Sequence, residues 1–346
     1  MSIKVLRLDV WIDPAFDRII NEAPGVELTV MKLADPDEVN WALLEEADIF
    51  HVSAAKDELP LQWHVTADLL ARCPRLKAVS STGAGYDTID VDACTAAGVL
   101  AVNQAGGNAN SVAEHTLALM LAVCRRVVES DHLIKTATGI VREDLMGHEL
   151  AGKTIGLVGI GHIGTRVAQL AAAFGMNVLA VDPYVSDADI RARGATPVSL
   201  EELLASSDVV SLHCPRNKET ANMFGLKQFQ AMKRGALFVS TARGGIHDEQ
   251  ALHTVLEAGH LGGAGLDVWK VEPPPHGHPL LRLPNVVSTY HTAGVTHEAR
   301  RNIATISAQQ ILEICAGRTP PRALNPEVLP SVLAKFSGDK NELNVE

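Results

Sequence analysis

Short apolar, β-branched runs recur along this chain, separated by helical stretches of roughly 10–15 residues. One series holds "KVLRLDV" (4–10), "VELTV" (26–30), "DIFHV" (48–52), "LKAVSS" (76–81) and "VLAVN" (99–103). A second holds "TIGLVG" (154–159), "NVLAVD" (177–182), "DVVSLH" (208–213), "ALFVST" (236–241), "GAGLDV" (263–268) and "NVVSTY" (285–290). Strands spaced in this way form βαβ units on a parallel sheet, and runs this continuously apolar require cover on both faces. The expected fold class is therefore α/β, with two doubly wound parallel-sheet domains.

Between the two series, residues 110–137 repeat apolar positions at helical spacing without a proline. They predict one long bridging helix from near Ser111, with two shorter helices as the alternative. A last helix, "HEARRNIATISAQQILEICAG", closes at Gly317 and is expected to return the chain to the first domain. The boundaries that follow are 1–104 with 296–330 for one domain, 105–295 for the other, and 331–346 as a loose C-terminal tail or interface arm.

The chain has 346 residues, a formal net charge of −11 and a pI near 5.7. Nucleic acid and anionic membrane surfaces reward a basic face, so neither is the expected partner. A small anionic substrate needs only one local cation. Five scattered cysteines without a C-x-x-C pair read as free thiols of a reducing compartment. No apolar window is long enough to span a bilayer, and the N-terminus lacks a signal-peptide segment. The expected location is cytoplasmic.

Directly after the strand at 154–159, Gly159, Gly161 and Gly164 form G-x-G-x-x-G at the start of a helix. The first glycine permits a tight turn, the second lets the backbone approach a pyrophosphate, and the third lets helix and strand pack closely. The next strand ends at Asp182, with 17 residues between it and Gly164. An acid there accepts from the adenosine ribose and repels a 2′-phosphate, which favours NAD over NADP. Two other clusters, "ARGGI" (242–246) and "GGAG" (262–265), are equally compatible with ordinary turn chemistry.

A dinucleotide enzyme also needs a substrate anchor and a proton donor. The strand ends of the second series offer Arg243, Asp267 with Glu272 just beyond it, and His291. An arginine holds a carboxylate bidentately. A histidine takes or returns a hydroxyl proton, and a carboxylate on its other ring nitrogen orients it and favours its charged form. Each has a plainer reading: a structural cation, a surface-loop acid, a core histidine. "HGH" (276–278) hints at metal, yet no coherent ligand set accompanies it.

Taken together, "LKAVSSTGAGYDTIDVDACTAAGVLAVNQAGGNANSVAEHTLALMLA", "LAGKTIGLVGIGHIG", "VSLHCPRNKETANMF", "GALFVSTARGGIHDEQAL" and "GAGLDVWKVEPPPHGHPLLRLPNVVSTYHTAG" resemble the D-isomer-specific 2-hydroxyacid dehydrogenase family, close to its phosphoglycerate dehydrogenase-like subgroup. The resemblance implies a Rossmann NAD domain, a discontinuous flavodoxin-like substrate domain and a cleft between them. It implies hydride transfer between NAD(H) and a D-2-hydroxy acid/2-keto acid pair, in a homodimer built near residues 110–130. Arg243 would bind the substrate carboxylate, with His291 as acid/base and Glu272 as its partner. Asp267 would contact the nicotinamide amide, and His162 and Ile163 the pyrophosphate. Cys214, Thr241, Ala242 and Gly294 would line the rest of the cofactor path, and Gly83, Ala84 and Gly85 would offer backbone N–H groups to the substrate.

Two departures stand out. Tyr290 occupies the place before the histidine where the family usually has proline, and "HVSAAKDELP" contains Lys56 but no arginine for a phosphorylated substrate. No appended regulatory domain is expected. The alternatives are a phosphoglycerate dehydrogenase of serine biosynthesis and an NAD-sensing, corepressor-like binding protein.

Overall fold

The computed structural model describes residues 2–341. Two compact units divide the chain, Met1–Asn108 with His297–Glu346, and Ala109–Thr296.

In the first unit the strands are β1 (Ile3–Leu8), β2 (Val26–Met31), β3 (Ile49–Val52), β4 (Ala78–Ser81) and β5 (Leu100–Val102). They pair in parallel in the order β2-β1-β3-β4-β5, the flavodoxin-like arrangement. Successive side chains point to opposite faces, so each strand feeds two cores. Leu6, Leu8, Phe50, Val52 and Val79 enter one. Val5, Ile49, Ala78 and Leu100 enter the other, with Phe16 and Ile311. Burying one such phenylalanine stabilises the unit by about 1.5–3 kcal/mol.

The expectation of a loose tail from residue 331 does not hold through residue 341. Leu329–Asn341 is a helix whose Val332 and Phe336 are fully buried in the core that holds Val5 and Ile311. Those two residues are four apart and share a helix face, which a polar average composition conceals. Residues 342–346 lie outside the described residues.

The second unit contains β6 (Thr154–Val158), β7 (Asn177–Val181), β8 (Thr196–Pro197), β9 (Val209–Leu212), β10 (Leu237–Ser240), β11 (Gly263–Leu266) and β12 (Val286–Ser288). All pair in parallel in the order β12-β11-β10-β9-β6-β7-β8. Strand order reverses between β6 and β9, so the crevice outside their C-terminal ends is where a ligand binds in this topology. The two-residue β8 was not expected. It is an edge strand, where a proline costs no ladder bond.

The single bridging helix is also corrected. Ala109–Cys124 and Val127–Thr136 are separate helices. Arg126 between them adopts a left-handed backbone with φ 53°, and its guanidinium is held by Glu129 at 2.7 Å and by the Asp144 carbonyl. The first helix buries Ala113, Leu117, Leu119 and Met120 in the core. The second buries no residue. Among the described residues, no helix is long and apolar enough to cross a membrane.

Candidate active site

The glycine motif sits where the strand order reverses. Gly159 leaves β6 with φ +93°, and a Cβ there would stand 2.8 Å from the Cys214 nitrogen beyond β9. A Cβ on Gly164 would stand 2.3 Å from the Gly159 carbonyl oxygen, so only glycine lets the helix His162–Ala173 start this close to the strand. Gly161 is different, because a Cβ there would meet nothing within 4 Å. It is the helix N-cap, with open space in front of a helix N-terminus, which is where a pyrophosphate fits. His162 and Ile163 open that helix.

Asp182 follows β7 and ties the loop together. It accepts the Ile160 N–H on Oδ2 and the Tyr184 N–H on Oδ1, both at 3.0 Å. A carboxylate retains acceptor capacity after two such bonds, so these residues suit the adenosine end of a dinucleotide. Cys214 is half-buried, and burial pushes its thiol up to about 11, so its side chain is neutral at ordinary pH. Thr241 bonds Thr116 at 2.9 Å behind the sheet, beside the buried Ala242.

These features give a test of the motif. Gly161→Val leaves the thermal midpoint of the apo protein unchanged and weakens NADH binding, measured by fluorescence titration. Gly164→Val lowers the midpoint itself, because the new side chain collides with backbone.

The catalytic candidates come together through strand register. Ser240, Leu266 and Ser288 are aligned across β10, β11 and β12, so Arg243, Asp267 and His291 all leave the same C-terminal edge. The β12 ladder runs on past the strand: the Thr289 N–H donates to the Leu266 carbonyl and the His291 N–H to the Asp267 carbonyl, each at 2.8 Å.

The fully buried Asp267 carboxylate then acts as a template for the turn. It accepts from the Thr289 hydroxyl at 2.6 Å, the Thr292 N–H at 2.8 Å and the Ala293 N–H at 2.9 Å. His115 reaches the same Thr289 hydroxyl at 2.9 Å. What this geometry shows of Asp267 is support of the loop that carries His291, Thr292, Ala293 and Gly294.

His291 itself has φ +50°. A non-glycine residue in the left-handed region costs free energy and persists only where its surroundings enforce it. Its Nδ1 lies 2.8 Å from Glu272 Oε2, and Glu272 Oε1 accepts the Trp269 N–H at 2.9 Å. An ionised carboxylate only accepts, so Nδ1–H donates and Nε2 is the nitrogen that exchanges a proton.

The hydrogen bond to Glu272 raises the His291 pKa above its ordinary value, against the opposing effects of burial and Arg243. Burial works to raise Glu272, but the bonds from His291 and the Trp269 N–H, with the charges of His291 and Arg243, hold it below the usual range. The half-buried Arg243 donates to the Ala242 carbonyl at 2.9 Å. Among the described residues, no three His, Cys, Asp or Glu side chains converge as metal ligands.

In the first unit, the loop Gly83–Ala84–Gly85 has its carbonyls held from within. They accept from the Gln104 N–H at 2.9 Å, from Asn103 Nδ2 at 2.8 Å and from the Ser81 hydroxyl.

Sequence reasoning missed Thr289, His115 and Trp269. They act through hydrogen bonds to backbone, to a carboxylate or, for His115, to the Thr289 hydroxyl, and their residue types carry no motif.

A Rossmann-ordered sheet, a glycine-motif helix N-terminus with open space in front of it, and an imidazole–carboxylate pair with an arginine on the same sheet edge stand together in the second unit. The chain belongs to the D-isomer specific 2-hydroxyacid dehydrogenase family, whose NAD binding domain matches residues 117–293. It is 43% identical over 271 residues to D-3-phosphoglycerate dehydrogenase of Archaeoglobus fulgidus, covering 78% of this chain and 51% of that one. It spans about half the length of the phosphoglycerate dehydrogenases it matches. A glyoxylate reductase of Korarchaeum cryptofilum is 38% identical over 325 residues, covering 93% of this chain and 90% of that one. The D-lactate dehydrogenase of Aquifex aeolicus, solved with NAD and lactic acid, superposes with a TM-score of 0.79 at 29% identity, over 93% of this chain and 99% of that one.

Proposed function

We propose that this protein transfers hydride between NAD(H) and a small D-2-hydroxy acid/2-keto acid pair. The observation that carries the reading is the 2.8 Å contact of His291 with Glu272 at the sheet edge that also presents Arg243. Arg243 binds the substrate carboxylate and fixes one face of the carbonyl. His291 Nε2 donates a proton to the carbonyl oxygen in reduction and removes it in oxidation, while Glu272 holds the imidazolium. Bound NADH supplies the hydride to C2. Asp182 accepts from the adenosine ribose, and the Gly161 cradle takes the pyrophosphate with His162 and Ile163. Cys214, Thr241, Ala242, Asp267 and Gly294 complete the cofactor path.

The near full-length match to a glyoxylate reductase, and Lys56 as the lone cation of "HVSAAKDELP", favour a substrate without phosphate. NADH oxidation is the test, run on glyoxylate, hydroxypyruvate, phosphohydroxypyruvate, pyruvate and bulkier keto acids. Turnover is expected on glyoxylate or hydroxypyruvate. Exclusive turnover of phosphohydroxypyruvate would replace this reading with the phosphoglycerate one, and NADH binding without any turnover would count against an enzyme.

We further propose a homodimer. The helix Val127–Thr136 and the stretch after it leave Val127, Val128, Ile134, Val141 and Met146 exposed, an apolar face of the kind that a second copy covers. A monomer in sedimentation at micromolar concentration would exclude it. The five free cysteines support a cytoplasmic location, checked by fractionation.

A further inference from the structure

The peptide segment Trp269–Lys270 touches the Glu272 side chain and the backbone close to His291 and Arg243. The Trp269 N–H holds Glu272, and its indole Nε1–H donates at 3.1 Å to the Thr289 carbonyl, two residues before His291. Gly244, next to Arg243, lies so close that a Cβ there would stand 1.8 Å from the Trp269 carbonyl oxygen. The segment after Glu272 is Pro273–Pro274–Pro275, which has no N–H with which to anchor itself. The position of Glu272 therefore depends on what fixes residues 269 and 270.

A second histidine–carboxylate pair fixes them. Glu249, which opens the helix Glu249–Glu257, accepts the Lys270 N–H on Oε1 at 2.6 Å and faces His278 Nε2 from Oε2 at 3.1 Å. Both side chains are only 15% exposed. The His278 ring stands edge-on to Trp269 at 5.4 Å, and the His278 N–H returns to the Pro275 carbonyl at 2.8 Å. The proline loop is thus pinned at both ends, by Glu272 and by His278.

We propose that Glu249 and His278 are positioning residues for the reaction site, locking Trp269–Lys270 so that Glu272 meets His291 at hydrogen-bonding distance. This rests on the acid/base reading of His291. The titration of His291 reports the contact directly, because the Glu272 hydrogen bond is the largest cause of its raised pKa. The charged groups acting on His291 are Glu272, Arg243 and Asp267, with His115 against Asp267. Around Glu249 stand His278, Lys270, Asp248, His247 and His253, which line one cavity of about 220 Å³.

The experiment is an NMR pH titration of ¹³C-histidine-labelled protein, with the His291 signal assigned by its loss in His291→Asn. Glu249→Ala lowers the His291 midpoint by about half a unit or more. Glu249→Gln removes the same charge but keeps an acceptor for the Lys270 N–H, and leaves the midpoint at the wild-type value. An unchanged midpoint in Glu249→Ala, or an equal fall in both variants, overturns the proposal. Were Glu249→Ala not to fold, His278→Ala takes its place with the same two outcomes.

On the keto acid that the enzyme turns over, Glu249→Ala lowers kcat roughly tenfold to a hundredfold with little change in KM, since misplacement acts on the reacting geometry. The parallel His291→Asn assay separates the two ideas. Retained turnover there overturns the acid/base reading, whereas lost turnover with an unmoved titration overturns only the positioning role.

Discussion

His291→Asn lowers kcat/KM for keto-acid reduction by about 10²–10⁴-fold, the usual contribution of a positioned acid or base, while NADH binding stays within a few-fold of wild type. Asparagine supplies no titrating group to the substrate oxygen, and it tolerates the left-handed backbone that residue 291 adopts, so the turn survives and the loss reads out the proton. The wild-type pH profile carries the same information. Reduction needs the imidazolium, so its kcat/KM is level at low pH and falls as pH rises through the His291 value, which lies above the ordinary 6.5. Oxidation of the hydroxy acid needs neutral imidazole, so its kcat/KM rises with pH toward that value and then levels. Glu272→Gln removes the chief cause of the shift and moves both inflections to lower pH. Inflections that stay in place would detach Glu272 from the titration, and a His291→Asn variant that kept turnover would end the acid/base assignment.

How far these residues announce themselves depends on whether their role is local. Gly159, Gly161 and Gly164 are legible because three backbone demands fall at fixed spacing behind an apolar strand. Arg243 and His291 are legible because they end strands of a parallel sheet, where topology puts ligands. The break at Arg126 is not legible, since Val127 and Val128 continue the apolar spacing and the interruption comes from Glu129 and the Asp144 carbonyl holding the arginine in a left-handed turn. Val332 and Phe336 lie in a short segment whose end, "SGDKNELNVE", is polar, and their burial is decided by the sheet they meet. Glu249 is hidden differently. It holds a backbone N–H, a group that almost every residue offers, so no residue pattern marks its partner 21 positions away.

Arg243→Gln lowers kcat/KM for the keto acid through a raised KM, with NADH affinity kept. Losing one member of a hydrogen-bonded charge pair costs about 2–5 kcal/mol, which is roughly 30-fold to several-thousand-fold at about 1.4 kcal/mol per decade. Lysine does not restore the loss, because a point charge cannot reproduce a planar two-pronged grip on a carboxylate. A second signature separates this role from a structural one. The Arg243 charge opposes protonation of His291, so removing it moves the reduction inflection to higher pH, opposite to the shift expected of Glu272→Gln. A purely structural arginine would depress the melting midpoint and spread the loss over kcat and NADH binding, with no directed movement of the pH profile. An Arg243→Gln enzyme with KM and inflection both at wild-type values would remove the arginine from the substrate site, leaving His291–Glu272 without an anchor for the keto acid in this unit.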